Sequence, residues 1–513
     1  MFSILTLVLL LIGAVVITNI LVKNKVENYL LNRLPKHITQ DHKSIALNTL
    51  RGTITVKGLS VSITNRNDTT VHTKVSAERL IVENISYWDY LVHSEIHIED
   101  IKIKSPVISY HTQKLIKNQD STSSSGLLKL YKPILVEALS IENATFYMYD
   151  DTKDSLVLLV ENSTVNIRDI KIDKDIINRR FPVEFKNYRA NADSIFVKTN
   201  PYENLTVADF NLENKQAVFN NVTLKTKYAR TELSQQISTE RDHFDLEVEK
   251  ISVDNINFGF DNRALYVSSD YIIMESPVLK IFRDKLVNDD LTTKKLYSQA
   301  LRELPFQLTI DSVVVNNASI GYTEKVKQDN DGGTINLDKL NASIINVSNT
   351  YMSPNRTALK IEGFFMKNTP FKSRWTFDIN KPSDDFIFSM EIGEFQAERL
   401  NAFTEPNLKV RLNGQTDKIY YTIDGNKNKS SVDLKVKYED FEVVVLNKEG
   451  NKKNWLLSTV ANLFVAKDSE DKNDNFREAT VVVERDKTKS VFNFIWLNLS
   501  KGLLKSIAGN GEK

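Results

Sequence analysis

The sequence predicts a mostly-β protein: an N-terminal transmembrane helix, then a long antiparallel sheet, with a few helices that include amphipathic ones at the C-terminus. Three observations predict it. The chain opens on an uncharged apolar run, a period-two alternation of apolar and polar residues dominates the region beyond it, and one seven-position spacing recurs in four places within that alternation.

From Phe2 to Val22 there is no charged residue, and Ile4, Leu10, Val16 and Leu21 mark the depth of the run. About 20 residues at 1.5 Å each span the ~30 Å of a hydrocarbon core. A cleaved signal peptide is the alternative, but the apolar run is longer than a typical h-region and no small-x-small site precedes Asn19. The run continues into a helical stretch with Val26, Tyr29, Leu30 and Leu34 close to one face, ended by Pro35. Lys23, Lys25 and Arg33 follow the span, which on charge alone places the body in the cytoplasm. Long domains, however, translocate largely regardless of loop charge.

Beyond Pro35 the alternation is that of strands with one wet face. Ile54, Val56, Leu59, Val61 and Ile63 are separated by Thr55, Lys57, Ser60 and Ser62, and similar runs cover 96–103, 246–260, 308–322, 386–392 and 432–445. Val, Ile, Thr, Tyr and Phe fill them, as strand propensity favours. Segments beginning at Ile96, Ile134, Leu246 and Leu308 share the steps 2, 3, 2, 2, 3, 2, with Ser105, Asn143, Asn255 and Asn317 at the fifth position. A step of three flips the face unless a bulge or turn absorbs a residue, so each copy is expected to contain a bulge or corner and then an Asn/Ser turn. The irregular spacing of the copies argues against a fixed-period solenoid or propeller.

Three interruptions punctuate the strands: a Ser-rich loop at 121–126, a helical stretch at 290–304 ended by Pro305, and a hairpin turn at 329–333. The C-terminus reads as an apolar helix at 453–465, a charged loop at 467–475, a strand at 478–485 and an amphipathic helix at 490–508 with Phe492, Trp496, Leu499, Leu503 and Ile507 in one stripe. The expected organisation is a membrane anchor and helical stalk (1–35), an N-terminal β-rich region (36–285), an inserted helix (286–305), a C-terminal β region (306–450) and a closing helix-strand-helix (451–513).

Composition narrows the function. In 513 residues the net charge is +1, which argues against nucleic acid as a partner. The absence of cysteine removes disulfides, thiolate zinc sites, Cys nucleophiles and lipid-modified Cys, and suits an oxidising compartment. His93-Ser-Glu-Ile-His97 inverts the metalloprotease order, and on a strand its histidines would lie ~13 Å apart, so no metal is expected. Asp329 and Asp331, like Asp150, Asp151 and Asp154, lack the full pattern of calcium ligands. Neither a phosphate-binding loop nor a nucleophile elbow occurs, so no cofactor and no catalytic residue is assigned. Asn-x-Ser/Thr triplets at Asn143, Asn162, Asn204, Asn221, Asn317 and Asn341 partly coincide with the repeat's turn position, which explains them structurally.

LNTLRGTITVKGLSVSI (47–63), AERLIVENISYWDYLVHSEIHIEDIKIKSPVISY (77–110), LRELPFQLTIDSVVVNNASIGYTEK (301–325) with GGTINLDKLNASIINVSN (332–349), FQAERLNAF (395–403), LNGQTDKIYYTIDGN (412–426), VDLKVKYEDFEVVVL (432–446) and REATVVVERDKTKSVFNFIW (477–496) together resemble the AsmA-like envelope proteins of Gram-negative bacteria, in their Bacteroidetes form. The resemblance covers nearly the whole chain as loose β patterns, and departs from the family in having no Lys or Arg before the span. It implies a single-pass inner-membrane anchor and an elongated, curled β-sheet, groove or taco-like, with the bulk in the periplasm. It also implies a non-catalytic role in moving phospholipid between inner and outer membrane, with other envelope proteins as further partners. An anchored scaffold or assembly factor for outer-membrane biogenesis, without lipid carriage, is the alternative. Shielding a chain of about 16 carbons at ~0.8 kcal/mol per CH₂ is a matter of ~13 kcal/mol, which an apolar groove would remove. Some 25 strands at ~4.8 Å would give at most ~120 Å of groove. The residues expected to line it are Ile54, Val56, Ile96, Ile98, Leu246, Val248, Leu308 and Ile310.

Overall fold

The computed structural model describes residues 34–65, 68–116, 132–150, 155–178, 183–261, 264–446 and 476–507, with Ile20, Lys23 and Asn24. The anchor positions Ile4, Leu10, Val16 and Leu21, the Ser-rich loop and the 453–465 helix lie outside the described residues. No described helix is long and apolar enough to cross a membrane. The chain is mostly β, with 25 strands among the described residues. It divides into two compact units, 1–221 with 259–263, and 222–258 with 264–513.

In the first unit β1 (Ile38–Asp41) and β2 (Ser44–Asn48) both pair with β3 (Thr53–Thr64), which forms a hairpin with β4 (Val71–Ile85). β4 in turn pairs with β5 (Ile96–Lys104) and β6 (Val107–His111), the two halves of one broken strand. The break is Ser105-Pro106, where Ser105 has φ 47° and proline has no N–H for the ladder. Both halves run parallel to β7 (Ile134–Tyr149), which is antiparallel to β8 (Leu156–Ile172). β9 (Asn187–Ala192) and β10 (Ser194–Lys198) pair with β8 and with β11 (Glu203–Glu213). β12 (Gln216–Thr226) follows a tight turn in which Asn214 and Lys215 are both left-handed.

The second unit contains α1 (Arg230–Gln236) and β13 (Asp242–Asp254), then, after β14 (Asn257–Asp261), which spans the boundary at 258/259, β15 (Ala264–Glu275) and β16 (Val278–Asp284), and repeats that supersecondary arrangement. β13 pairs antiparallel with β15 and β16, a strand broken at Ser276-Pro277. After α2 (Tyr297–Arg302), β17 (Gln307–Lys325) runs parallel to both halves and antiparallel to β18 (Gly333–Ser348). The sheet is therefore mixed rather than antiparallel throughout. The connections 112–133 and 285–306 are each longer than the dozen residues that a parallel crossover needs.

The two steps of three in the repeat have different causes. At the first, register runs on without a shift: Ile98 and Asp100 oppose Val136 and Ala138, and Ile310 and Ser312 oppose Val347 and Ile345. No residue is absorbed, so the apolar side chains change face in mid-strand. At the second, the register shifts by paired bulges around Ala144 and Ala318. Ser105, Asn143, Asn255 and Asn317 there have φ of 47°, 54°, 51° and 52°. The bulge takes up the extra residue and keeps the apolar face. Asn suits it because its short polar side chain tolerates the left-handed region. Asn162 and Asn221 are also left-handed, as are Asn84 and Asn346, so six of the Asn-x-Ser/Thr triplets sit at backbone positions that favour asparagine.

Antiparallel strands complete the second unit: β19 (Thr357–Phe365), β20 (Thr369–Phe377), β21 (Phe386–Ile392), the short β22 (Phe395–Gln396), then, after α3 (Asn401–Leu408), β23 (Val410–Gly425), β24 (Lys429–Val445) and β25 (Arg477–Glu484). Gly414 at φ 93° makes a further paired bulge, and a Cβ there would lie 2.3 Å from the Asp440 carbonyl oxygen. The closing helix α4 (Val491–Ile507) packs on this sheet through Val491, Phe494 and Ile507. It comes so close that a Cβ on Gly502 would lie 3.1 Å from Leu434.

The helix expected over 290–304 shrinks to α2. Asp290 accepts a hydrogen bond from the Thr292 backbone N–H (2.9 Å), an Asx-type turn, and the Lys294 N–H donates to the Lys487 carbonyl (2.8 Å). Both bonds hold 290–294 out of helical geometry, and Leu296 becomes the N-cap.

Candidate functional site

Cross-strand partners share a sheet face, so the register shows which residues line it. In the first unit one row runs Ile54–Val82–Ile101–Leu139–Ile167–Tyr188. The next runs Val56–Leu80–Ile103–Ile141–Val165–Ala190. Beyond the bulges a third runs Val61–Val75–Ile108–Phe146–Val160–Ile195. Each row crosses six strands, ~24 Å at ~4.8 Å spacing. Most of these side chains are only half-buried, with Val56 the buried exception. No second sheet or long helix covers them among the described residues of this unit.

The opposite face is polar. Asp100–Ala138–Arg168–Asn187 and Lys102–Ser140–Asn166–Arg189 form its rows. They border a hollow of about 710 Å³. Lys102 pairs with Glu83 (2.5 Å) and Lys104 with Glu142 (3.7 Å).

The second unit carries an equivalent apolar row, Val313–Ile344–Leu359–Trp375–Phe388–Ile423, continued by Val432 and Val481. From β20 onward the protein seals it. Trp375, Phe377, Phe386, Phe388, Ile423 and Val432 are buried in one cluster with Phe494 of α4. Phe386 meets Phe494 edge-on at 6.2 Å, and Tyr297 of α2 lies 5.3 Å from Trp375. Asn498 of α4, fully buried, carries a polar group into this interface with its partners supplied. Its amide oxygen accepts from Ser430 (2.9 Å) and its NH₂ donates to the Phe494 carbonyl (2.8 Å). The other side of this sheet bears a hollow of about 670 Å³ bordered by Lys360, Glu362, Lys372, Arg374 and Glu391.

The eight candidate residues fall on two faces. Ile54 and Val56 belong to the apolar rows. Leu246 joins an apolar row through Leu279, Ile320 and Leu337, and Val248, two residues on, is buried. Ile96 and Ile98 lie on the face that continues as Asp100 and Lys102, opposite Ile134 and Val136. Leu308 and Ile310 share their face with Ser312 and Val314, and Ile310 opposes Ser269 and Val347. The mid-strand change of face separates the two sets. Its signal is present in the step of three, but only register distinguishes a flip from a bulge.

The histidine pair departs from its expected strand geometry. Asp89–His93 form a π-helical turn, Ser94 is left-handed at φ 59°, and His97 is the second residue of β5. The chain reversal brings both imidazoles to one carboxylate: His93 Nδ1 is 2.7 Å from Asp89 Oδ1 and His97 Nδ1 is 2.9 Å from Asp89 Oδ2, while His97 Nε2 is 3.0 Å from Glu137. Asp89, His93 and Glu95 can present ligand atoms within 4.8 Å of one another. Hydrogen bonds from Ser86 and the two histidines hold the Asp89 carboxyl down to about 2, and Asp89 followed by Glu137 raises His97. Asp89 therefore contributes stability above its ordinary value near 3.8 that is lost as pH falls toward about 2. His97 contributes stability that is complete below 6.5 and is lost as pH rises through its raised value. Amide-exchange protection across 86–97, corrected for intrinsic rate, is expected to be greatest between those limits and to fall on the alkaline side. His97→Gln should abolish that alkaline fall, and an unchanged profile in the variant would contradict the assignment.

No known family model matches the chain, and neither does any curated protein.

Proposed function

We propose that this chain is a non-catalytic, membrane-anchored β-protein that handles phospholipid, holding acyl chains against the apolar face of its first unit. The supporting observation is the set of three apolar rows, each six strands long, that no described layer of that unit covers. Their ~24 Å exceeds the ~15 Å occupied by one leaflet's chains, half of a ~30 Å hydrocarbon core. Each buried CH₂ contributes ~0.8 kcal/mol. The uncharged run 2–22 supplies the anchor in this reading, and the likeness to AsmA-like envelope proteins suggests the inner membrane, with the bulk in the periplasm.

One observation favours the alternative of an anchored scaffold or assembly factor. In the second unit α4 and α2 close the equivalent face, as an ordinary core does. The two readings differ in what purifies with the protein. Full-length protein extracted in mild detergent, exchanged extensively and examined by native mass spectrometry is expected to retain phospholipid in defined stoichiometry. Protein that is folded but lipid-free would favour the scaffold.

A further inference from the structure

The connection between β4 and β5 carries a group of side chains that the lipid-handling face does not use. Tyr87, Trp88, Tyr90, Leu91 and Val92 are all exposed, Trp88 by 69% and Leu91 by 78%. Leu50, in the β2–β3 turn, is 76% exposed. The two turns are joined: the Tyr87 hydroxyl donates to the Thr49 carbonyl (2.8 Å) and the Ile85 N–H to the Gly52 carbonyl (3.0 Å). Scattered exposed apolar residues are ordinary, but a contiguous set on one projection marks an interaction surface.

The projection is braced rather than loose. Asp89 is turned inward onto His93 and His97, the Ser86 N–H donates to the His97 carbonyl (2.9 Å), and Lys132 Nζ donates to the Tyr90 carbonyl (2.6 Å) while lying 3.6 Å from the centre of its ring. Its chemistry is that of a bilayer interface. Trp and Tyr place an apolar ring in the acyl boundary and a polar atom among headgroups, and Leu and Val supply the inserted surface. Arg51, next to Leu50, and Lys132 stand beside it as cations for anionic headgroups; of the acids near it, Asp89 and Glu137 are occupied by the histidines and Glu95 stands within 4.8 Å of Asp89 and His93.

Its place in the sheet suits a second contact. Ile38, the first strand residue after the apolar run, pairs with Ile63 at the far end of β3, whereas Leu50 precedes the near end. The ten residue steps from Thr53 to Ile63 extend ~33 Å. Read as a helix to Leu34 and extended beyond it, the segment 23–37 reaches ~28 Å, comparable with that separation, which lets a span at 2–22 and the projection meet the same bilayer.

We infer that the 86–93 turn, together with Leu50, is a second membrane contact, an interfacial wedge of Trp88, Leu91 and Val92 seated among the headgroups of an anionic phospholipid bilayer. The inference rests on the reading of 2–22 as the anchor, and its test separates the two. The chain has no cysteine, so a single introduced thiol is labelled uniquely. Full-length Leu91→Cys, Leu10→Cys and Lys215→Cys proteins, each carrying an environment-sensitive fluorophore, are reconstituted into phosphatidylethanolamine–phosphatidylglycerol vesicles with or without doxyl-labelled phospholipid. The expected result is a blue-shifted label at 91 quenched several-fold more than at 215, with strong quenching at 10. Quenching at 10, with 91 no more quenched than 215, overturns the wedge and leaves the anchor standing. Quenching at 91 without quenching at 10 supports the wedge and removes the anchor, and its absence at both overturns both. A label at 91 that is blue-shifted but untouched by doxyl lipid assigns the surface to protein contact and overturns the bilayer as occupant.

Discussion

Replacing Phe494 by alanine is expected to destabilise the second unit by about 3–5 kcal/mol, the usual cost of emptying a core aromatic site. Phe494 is 2% exposed and meets Phe386 edge-on, in a cluster with Trp375, Ile423 and Val432. α4 approaches β24 too closely at Gly502 to settle far into the vacated space. Urea unfolding followed by tryptophan fluorescence measures the effect, with exposed Phe492→Ala as the comparison. A loss under about 1 kcal/mol for Phe494→Ala would mean that α4 is not what seals this end of the sheet.

Ile141→Asp is expected to remove co-purifying phospholipid by at least about tenfold, since ~1.4 kcal/mol already gives that factor and one carboxylate on an apolar face costs more. Ile141 stands in the middle of the Val56–Ala190 row and is only half-buried, so the substitution changes a surface rather than a core. Ile98→Asp is the informative contrast. Its neighbours Val136 and Ile170 are already buried by the protein, so a charge there should weaken folding more than lipid retention. Native mass spectrometry and circular dichroism on both variants separate the outcomes. Full retention in a folded Ile141→Asp protein would remove this face as the acyl site.

Several elements are legible in the sequence. Period-two alternation locates the strands, and the repeated fifth position locates a backbone feature: Ser105, Asn143, Asn255 and Asn317 are all left-handed. The 3.6-residue period at the C-terminus locates α4, but not its buried face, which is formed by Val491, Phe494, Asn498 and Ile507 and leaves Phe492 and Trp496 of the expected stripe exposed; Asp329–Gly333 locates the β17–β18 turn. Each is a local matter, decided by which side chains tolerate a given backbone and which face must stay dry. The kinship of 96–111 and 264–284 is hidden at this level because only Ser-Pro-Val at the break is shared openly, at 105–107 and 276–278. Pairing, not composition, makes them the same element.

By itself, then, the sequence determined where strands run, where left-handed residues fall and which residues are apolar, because those depend on neighbours within a few positions. Only the tertiary structure decided that β5 and β7 run parallel, that Ile98 and Ile101 face opposite ways while Ile141 and Phe146 face the same way, and that His93 and His97 converge on Asp89. It also decided that α4 closes one stretch of apolar face, while a chemically similar stretch in the first unit carries no described cover. The reason is that register and covering layers are set by partners far along the chain, and a Val or Ile is written with the same letter whether a helix or a guest molecule lies against it.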